Sequence, residues 1–361
     1  MTNPTIIRVG QLALVAIATT YSVLILIPLF REGGFRPDFA VFWTAARMIS
    51  LHSDQLYDAQ AMTAAQSWLT NPANGLRPFA YPPTAMLLFR PFAALPFPVA
   101  FALWTALSLG AFAATARRRV APLPLALSFI APPVVLALAT GQTSLLVAAA
   151  IMSAVATLER RPELAGVLLG LATALKPQVI ILAPLALFAA KQGRAFLAWG
   201  ATGATLVLAS ILCWGSQIWL DWLSSLSAFS TIVSRLALDV EGVTPLSFAK
   251  SAGLSHWPAL AIQISAIIAG CTLVIWAFRR SDPLVRLVAL ASGSLLCAPY
   301  ALMYDLAVIM PIAASLLLAG RLTGLLAGVA FTGIAGVGAL PAVIAGTLTA
   351  NRQPRTGTPD Q

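Results

Sequence analysis

Charged residues are scarce in this chain of 361 residues: 9% are Asp, Glu, Lys or Arg, whereas 59% are hydrophobic. Soluble domains carry about 25% charged residues, so a content this low excludes an ordinary soluble protein. Apolar runs close to the length that crosses a bilayer recur along the sequence. Because backbone groups in lipid must be satisfied within the protein, these runs predict an all-α polytopic membrane protein.

The residues that carry the chemistry of many soluble enzymes are also few. Cys213, Cys271 and Cys297 lie in or beside apolar runs and predict neither a disulfide framework nor a metal site. His52 and His256 are isolated from one another. The sequence contains no phosphate-binding glycine loop and no Ser-His-acid spacing. These absences disfavour an ATP-driven pump or a nucleotide-sugar enzyme, and they predict no metal and no cofactor.

Negative charge is the scarcer of the two signs, since 12 acidic residues stand against 22 Lys and Arg, for a net charge of +10. In a soluble protein this excess suggests nucleic acid, but membrane proteins collect basic residues on their cytoplasmic side. With a cytoplasmic N-terminus, all the compact basic clusters fall on one side of the membrane. We therefore predict contact with membrane lipid and none with nucleic acid. The clusters are Arg117–Arg119, Arg160–Arg161, Lys191 with Arg194, Arg279–Arg280, and Arg321.

The predicted architecture is a single transmembrane domain of residues 1–350 with about eleven helices, followed by a disordered polar tail at 351–361. Two long segments, 31–97 and 215–256, fall on the outer side of the membrane. The first of them is called the first outer loop, and we expect any chemistry to take place beneath it. The spans are predicted at about residues 11–30, 98–116, 121–140, 143–158, 164–175, 177–190, 195–214, 257–278, 283–298, 302–319 and 322–348.

Each outer segment contains apolar residues at helical spacing, which predicts a helix that lies in the membrane interface. The helix of the first outer loop begins at Asp38. The helix in the second segment carries Trp219 and Trp222, which suit the level of the lipid headgroups. The apolar residues that the first helix is expected to turn towards lipid are Phe39, Phe42, Trp43, Ala46 and Ile49.

Asp38 follows Pro37 at the start of the first interfacial helix, and this position has two interpretations. A carboxylate there suits a cap for backbone amides at the positive end of the helix dipole. It also suits a general base, because a carboxylate partly withdrawn from water has a raised pKa. The two interpretations are compatible, since a capped carboxylate is also well positioned.

Further polar residues fall at predicted turns on the outer side. Lys176, between two apolar half-spans, either snorkels to the interface or meets an anion. Gln142 opens a span, where it either caps the helix or binds a hydroxyl-rich ligand. Asp305 opens another span, where it caps, pairs with a cation or contacts a substrate. The outer-side residues expected to converge into one site are Asp38, Gln142, Lys176, Asp239, Tyr304 and Asp305.

Several short motifs follow one another in a specific order over roughly residues 20–320. They are Asp38-Phe39, Val41-Phe42-Trp43, Ala45-Ala46, Leu56-Tyr57-Asp58, Tyr81-Pro82-Pro83 with Pro91, Gly141-Gln142, the Gly166–Gly170 span with Lys176-Pro177, and Pro299-Tyr300 with Tyr304-Asp305. This order resembles family 87 of the glycosyltransferases, bacterial membrane enzymes of the GT-C superfamily. The resemblance implies a GT-C-like fold with interfacial helices in the first outer loop.

The resemblance also implies an inverting glycosyltransferase, related to polyprenol-phosphate-mannose-dependent mannosyltransferases, in the bacterial plasma membrane. A mannose-like hexose or a pentose would pass from a polyprenyl-phosphate donor to a lipid or glycan acceptor, at the face towards the periplasm or exterior. Asp38 matches the catalytic base of the family. Lys176 is the expected ligand of the donor phosphate, because it is a cation predicted to lie within the membrane. The residues expected to contact substrate are Arg36, Tyr81, Gln142, Tyr304 and Asp305.

Two other functions stay open from the residues alone. A transporter or flippase of a lipid-linked or small anionic substrate would use the same outer-side cavity without making a bond. It explains Lys176 but not the long first outer loop. A membrane scaffold without a ligand leaves the convergence of outer-side polar residues unexplained.

Overall fold

The computed structural model describes residues 4–31, 37–70, 76–235, 242–280, 282–320, 322–334, 338 and 340–351. Within these ranges, an isolated bridge between Gly242 and Leu302 is the only β-structure, which confirms the all-α class. The α-helices are α1 (Pro4–Arg31), α2 (Pro37–Met48), α3 (Ala59–Ala65), α4 (Met86–Phe89), α5 (Phe97–Ala116), α6 (Pro122–Ser128), α7 (Pro132–Thr140), α8 (Ser144–Thr157), α9 (Pro162–Leu175), α10 (Ala183–Ala189), α11 (Gly193–Trp214), α12 (Gln217–Arg235), α13 (Pro245–Ser251), α14 (His256–Phe278), α15 (Pro283–Cys297), α16 (Met310–Leu318), α17 (Leu322–Phe331) and α18 (Leu340–Asn351). Short 3₁₀ helices occupy Ser53–Gln55, Pro83–Ala85, Arg90–Ala94, Pro177–Ile180 and Met303–Ile309.

Four of the described helices, α1, α5, α11 and α14, are long and apolar enough to cross a bilayer. The pair α6 and α7 meets the same criterion with a bend of 56°, which gives up to five spans. The other apolar helices are 10–17 residues long, whereas a straight crossing needs about 20 residues. The chain is therefore a multi-pass membrane protein. The predicted total of eleven spans stays a prediction.

The last predicted span, 322–348, is not one continuous helix. Helix α17 ends at Phe331, and α18 begins at Leu340. Between them Gly333 has a φ of 72°, in the left-handed region that favours glycine, and Pro133 lies 3.2 Å from where its Cβ would be. The prediction of a single helix here is wrong because the chain turns at this glycine and α18 packs back against α17.

Helix α9 packs closely along α11 because glycines on α9 let the two backbones approach. A Cβ added at Gly166 would lie 2.2 Å from the carbonyl oxygen of Ala195 and 2.9 Å from the amide nitrogen of Trp199. At Gly170 the added atom would lie 2.7 Å from Cβ of Thr202. This contact matters for function because Lys176 directly follows the end of α9.

We expect Gly166→Ala to lower the melting temperature of the purified protein, because backbone atoms of α11 must move to admit the methyl group. Gly200 of α11 provides the matched control, since nothing lies within 4 Å of a Cβ added there. Gly200→Ala should leave the melting temperature unchanged or raise it, because alanine favours a helix over glycine by about 1 kcal/mol. Thermal unfolding in detergent measures both variants. Equal melting temperatures for Gly166→Ala and Gly200→Ala would contradict the close packing of α9 on α11.

A cluster of aromatic rings fixes the first outer loop onto the helical body. The ring of Phe42 in α2 stacks on Phe89 of α4, with centroids 4.5 Å apart and planes at 5°. The indole of Trp104 in α5 donates a hydrogen bond of 2.8 Å to the carbonyl oxygen of Gly141. A stacked aromatic pair such as Phe42 with Phe89 contributes about 0.5–1.5 kcal/mol beyond its buried area. As a result α2 is held directly over the turn between α7 and α8.

Helix α2 lies where the sequence predicted a helix, but its apolar face does not meet lipid. The five apolar residues predicted to lie against the bilayer are each at most 4% exposed, and they are buried among other protein side chains. The prediction of a lipid-facing surface is therefore wrong for these residues. Their burial gives α2 a fixed place, which a helix floating on the membrane surface would not have.

Candidate active site

The site is built around the turn between α7 and α8. Gly141 there has a φ of 68°, and a Cβ added to it would lie 2.6 Å from Cβ of Phe39, so the position requires glycine. The turn places Gln142 inside the protein, where it is 4% exposed. Its Oε1 accepts hydrogen bonds from the hydroxyl of Tyr81 at 2.7 Å and from the amide of Thr143 at 2.9 Å.

Lys176 reaches the same point from the end of α9. The following Pro177 disfavours helical geometry at Lys176, and the chain leaves the helix there. Its ammonium nitrogen lies 2.5 Å from Oδ1 of Asp305, 3.1 Å from Oγ of Ser144 and 3.4 Å from Oε1 of Gln142. The residue is only 3% exposed. The snorkelling interpretation is therefore wrong, because the ammonium pairs with an internal carboxylate.

Asp305 holds the other end of this ion pair, in the 3₁₀ helix Met303–Ile309. Besides Lys176, its Oδ1 accepts a hydrogen bond of 2.8 Å from the hydroxyl of Ser144. Its Oδ2 accepts one of 3.1 Å from the amide of Leu302, so both oxygens are engaged. The ring of Tyr304 lies 4.3 Å from the ammonium of Lys176 and adds a cation–π contact. The charges of this pair compensate one another, and the pair fixes two separate parts of the chain.

Asp38, near the start of α2, is partly buried beside this network. Burial raises the pKa of its carboxyl above the ordinary value of 3.8. Hydrogen bonding with Thr140 and Gln142, and the charges of Lys176 and Arg77, act against that shift. A carboxylate with a raised pKa suits proton transfer near neutral pH. Asp305, by contrast, is held in an ion pair, so the two carboxylates suit different roles.

Tyr81 is placed by contacts on both sides of its backbone. The hydroxyl of Tyr57 donates to its carbonyl oxygen at 3.0 Å. The indole of Trp222 donates to the carbonyl oxygen of Ala80 at 3.2 Å. Trp222 belongs to α12, which is the second helix predicted from the sequence, so that helix holds the segment next to the site.

Sequence reasoning missed four residues near the site, namely Arg77, Thr140, Thr143 and Ser144. Thr143 and Ser144 adjoin Gln142 in the same turn, and that adjacency was a usable signal. Arg77 is one of the scattered arginines of the first outer loop, whereas the compact basic clusters are predicted on the other side of the membrane. Nothing in the sequence separated Arg77 from the other arginines of that loop.

The structure brings most of the predicted site residues together. Tyr81, Gln142, Lys176, Tyr304 and Asp305 are joined by direct contacts. Asp38 lies close enough to this group for Lys176 and Gln142 to lower the pKa of its carboxyl. The predictions for Arg36 and Asp239 lie outside the described residues. In the part of the chain that the structure describes, no three His, Cys, Asp or Glu residues gather into a group that could hold a metal ion.

Comparison with known families identifies the family of this chain. The model described as Glycosyltransferase family 87 matches residues 79–304, well over half of the chain. Four of the site residues predicted from the sequence, Tyr81, Gln142, Lys176 and Tyr304, lie inside the matched stretch. Asp38 and Arg77 precede that stretch, and Asp305 directly follows it. Comparison with the curated proteins and with the solved structures finds no match.

Proposed function

Since this chain belongs to glycosyltransferase family 87, we propose that it transfers a sugar from a polyprenyl-phosphate donor to a lipid or glycan acceptor. The family and the apolar helices establish a membrane glycosyltransferase. The sugar is proposed to be a mannose-like hexose or a pentose. The site is proposed to face the periplasm or exterior of a bacterial plasma membrane, with the N-terminus in the cytoplasm.

The observation that carries the proposal is the place of Asp38. Its carboxyl is partly buried, has a raised pKa, and lies beside Gln142 and the Lys176–Asp305 pair. A general base has to sit within hydrogen-bond reach of the proton it accepts, among groups that do not move. The aromatic cluster around α2 supports such a fixed position for Asp38.

In the proposed reaction the hydroxyl oxygen of the acceptor attacks the anomeric carbon of the donor sugar. A new carbon–oxygen bond forms while the bond from that carbon to the phosphate oxygen breaks. The proton of the hydroxyl passes to the carboxylate of Asp38, and the lipid phosphate leaves with the bonding electrons. A single displacement of this kind inverts the configuration at the anomeric carbon.

The other predicted residues are proposed to position the sugar or the acceptor. The Gln142 side chain and the hydroxyl of Tyr81 are fixed polar groups that suit hydrogen bonds to sugar hydroxyls. Tyr304 and Asp305 are held against Lys176. The predicted contact between Lys176 and the donor phosphate would require one of its three protein acceptors to give way. That contact stays a prediction.

The test is a panel of radiolabelled sugar donors given to the purified protein with a membrane lipid extract. We expect label to reach an acceptor from one or more polyprenyl-phosphate sugars, with inverted anomeric configuration. Nucleotide sugars serve as the comparison and should give no product. Transfer from nucleotide sugars alone would contradict the proposed donor. Passage of an intact donor across proteoliposomes, with no transfer, would favour the transporter.

A further inference from the structure

Among the described residues, two cations, Lys176 and Arg77, lower the pKa of Asp38 through their charge. Of the two, only Arg77 has a buried N–H donor without a hydrogen-bond acceptor among the described residues. An ammonium group has three N–H donors, and Lys176 has three oxygen acceptors around its nitrogen, from Asp305, Ser144 and Gln142. Its charge is compensated by Asp305. A donor phosphate at Lys176 would therefore have to displace a buried protein partner.

Arg77 is in the opposite situation. Its side chain is partly buried, and its Nε is a buried atom that has no hydrogen-bond partner among the described residues. A buried polar atom without a partner destabilises a fold, because it has lost its hydrogen bonds to water. Such a group in a native fold calls for an explanation, and a ligand that arrives later is one.

The backbone of Arg77 is nevertheless held firmly. Its amide donates a hydrogen bond of 2.8 Å to the hydroxyl of Thr63, and its carbonyl oxygen accepts one of 2.9 Å from Nε2 of Gln66. Both partners belong to α3 or to the residue that ends it. Both backbone groups of Arg77 are thus hydrogen-bonded, while the Nε of its side chain has no acceptor among the described residues. A fixed backbone with an unpartnered side-chain donor is typical of a residue that binds a ligand.

The ligand has to be an anion that offers two oxygens. Guanidinium is a planar fork whose paired N–H groups match a phosphate bidentately. Arg77 and Asp38 influence each other electrostatically, yet among the described residues no direct ion pair joins them. A phosphate that enters near Asp38 meets a like charge, which Arg77 offsets. As the glycosidic bond breaks, negative charge grows on the phosphate, and a cation there stabilises it.

We propose that Arg77 binds the phosphate of the polyprenyl-phosphate donor and of the lipid phosphate that is released. This inference rests on the proposed function. In this arrangement Lys176 acts as a positioning residue, which holds Gln142 and Asp305. Arg77 is the group that contacts the phosphate.

The test is equilibrium binding in detergent, with a radiolabelled polyprenyl monophosphate and the matched polyprenol that lacks the phosphate. The ratio of the two dissociation constants measures the recognition of phosphate without any transfer. We expect Arg77→Ala to reduce the preference for the phosphate by about 10- to 100-fold. Arg77→Lys should give an intermediate ratio, because it keeps the charge and loses the fork.

Arg90 is the matched control, because it is an exposed arginine of the same loop. Arg90→Ala should keep the wild-type ratio. Arg77→Gln replaces Arg77→Ala if melting shows that the alanine variant is unfolded.

A preference that survives in the folded Arg77 variants, or that is lost only in Lys176→Gln, would overturn the inference and leave the proposed function standing. A wild type that does not distinguish the phosphate from the alcohol would overturn the proposed donor and this inference together.

Discussion

Replacing Asp38 by asparagine is expected to lower the rate of sugar transfer by about 10²–10⁴-fold, the usual contribution of a general base. Asparagine has nearly the same shape as aspartate and stays a polar, hydrogen-bonding side chain, but it cannot take a proton from the acceptor. The measurement is the initial rate of label transfer by purified wild type and variant. Asp54→Asn is the matched control, since it removes an exposed carboxylate from the same loop.

The same substitution is expected not to destabilise the protein. Burial raises the pKa of Asp38, so its ionised form is disfavoured in the folded state. Stability from such a group is present at low pH and is lost as pH rises through the folded pKa. At neutral pH the wild type carries this cost and Asp38→Asn does not, so the variant should melt at the same temperature or higher. A variant that melts much lower would show that Asp38 is mainly structural.

The pH dependence of transfer should follow the same carboxyl group. Transfer by the wild type is expected to fall as pH drops through the raised pKa of Asp38, because the protonated acid cannot act as a base. The residual transfer by Asp38→Asn should not show this fall at low pH. Identical profiles for the two proteins would remove Asp38 from the role of base.

Replacing Lys176 by methionine is expected to have the largest effect on stability. The two side chains of the Lys176–Asp305 pair are 4% and 2% exposed. Removal of one partner from a buried pair leaves an uncompensated charge, which costs about 3–5 kcal/mol. The double variant Lys176→Met with Asp305→Leu should recover most of this loss, because it removes both charges. Its transfer rate should stay low, since Gln142 loses a fixing contact.

Arg194 and Glu163 form the matched control for this cycle. Their ion pair is 3.6 Å long, with side chains 80% and 59% exposed. Exposed pairs contribute little because water and salt screen them, so Arg194→Met should leave the unfolding midpoint almost unchanged. Reversible unfolding in a detergent and denaturant series gives both comparisons. A double variant no more stable than Lys176→Met alone would contradict the description of the pair.

The local sequence pattern predicted many of the helices correctly. Proline and hydropathy marked the ends of α2 and α9, and the motif order identified the family. The number of spans stays a prediction, because several of the described apolar helices are shorter than a bilayer crossing and hydropathy does not show how short helices pair. The same limit applies to α2, whose apolar face suited lipid and protein equally well. Only the position of its aromatic partners decided between them.

Pairings across long sequence separations were beyond the sequence. Lys176 and Asp305 are 129 residues apart. The sequence suggested an anion for the first and a cation or a substrate for the second, but not that the two pair with each other. Their mutual ion pair changes the role of both, because a neutralised lysine is a weaker candidate for phosphate than a free one. Arg77 shows the converse. Nothing in its neighbours in the chain indicated a buried Nε without a partner, which only the folded arrangement reveals.

The measurement that tests the central claim most directly uses a donor labelled in both parts, with tritium in the sugar and ³²P in the polyprenyl phosphate. Wild-type protein in proteoliposomes receives this donor together with acceptor lipid. A transferase separates the labels, so that tritium appears on the acceptor as ³²P appears in free polyprenyl phosphate, in equal amounts. Asp38→Asn should leave both labels on one molecule. Intact, doubly labelled donor carried across the bilayer by the wild type would contradict the account.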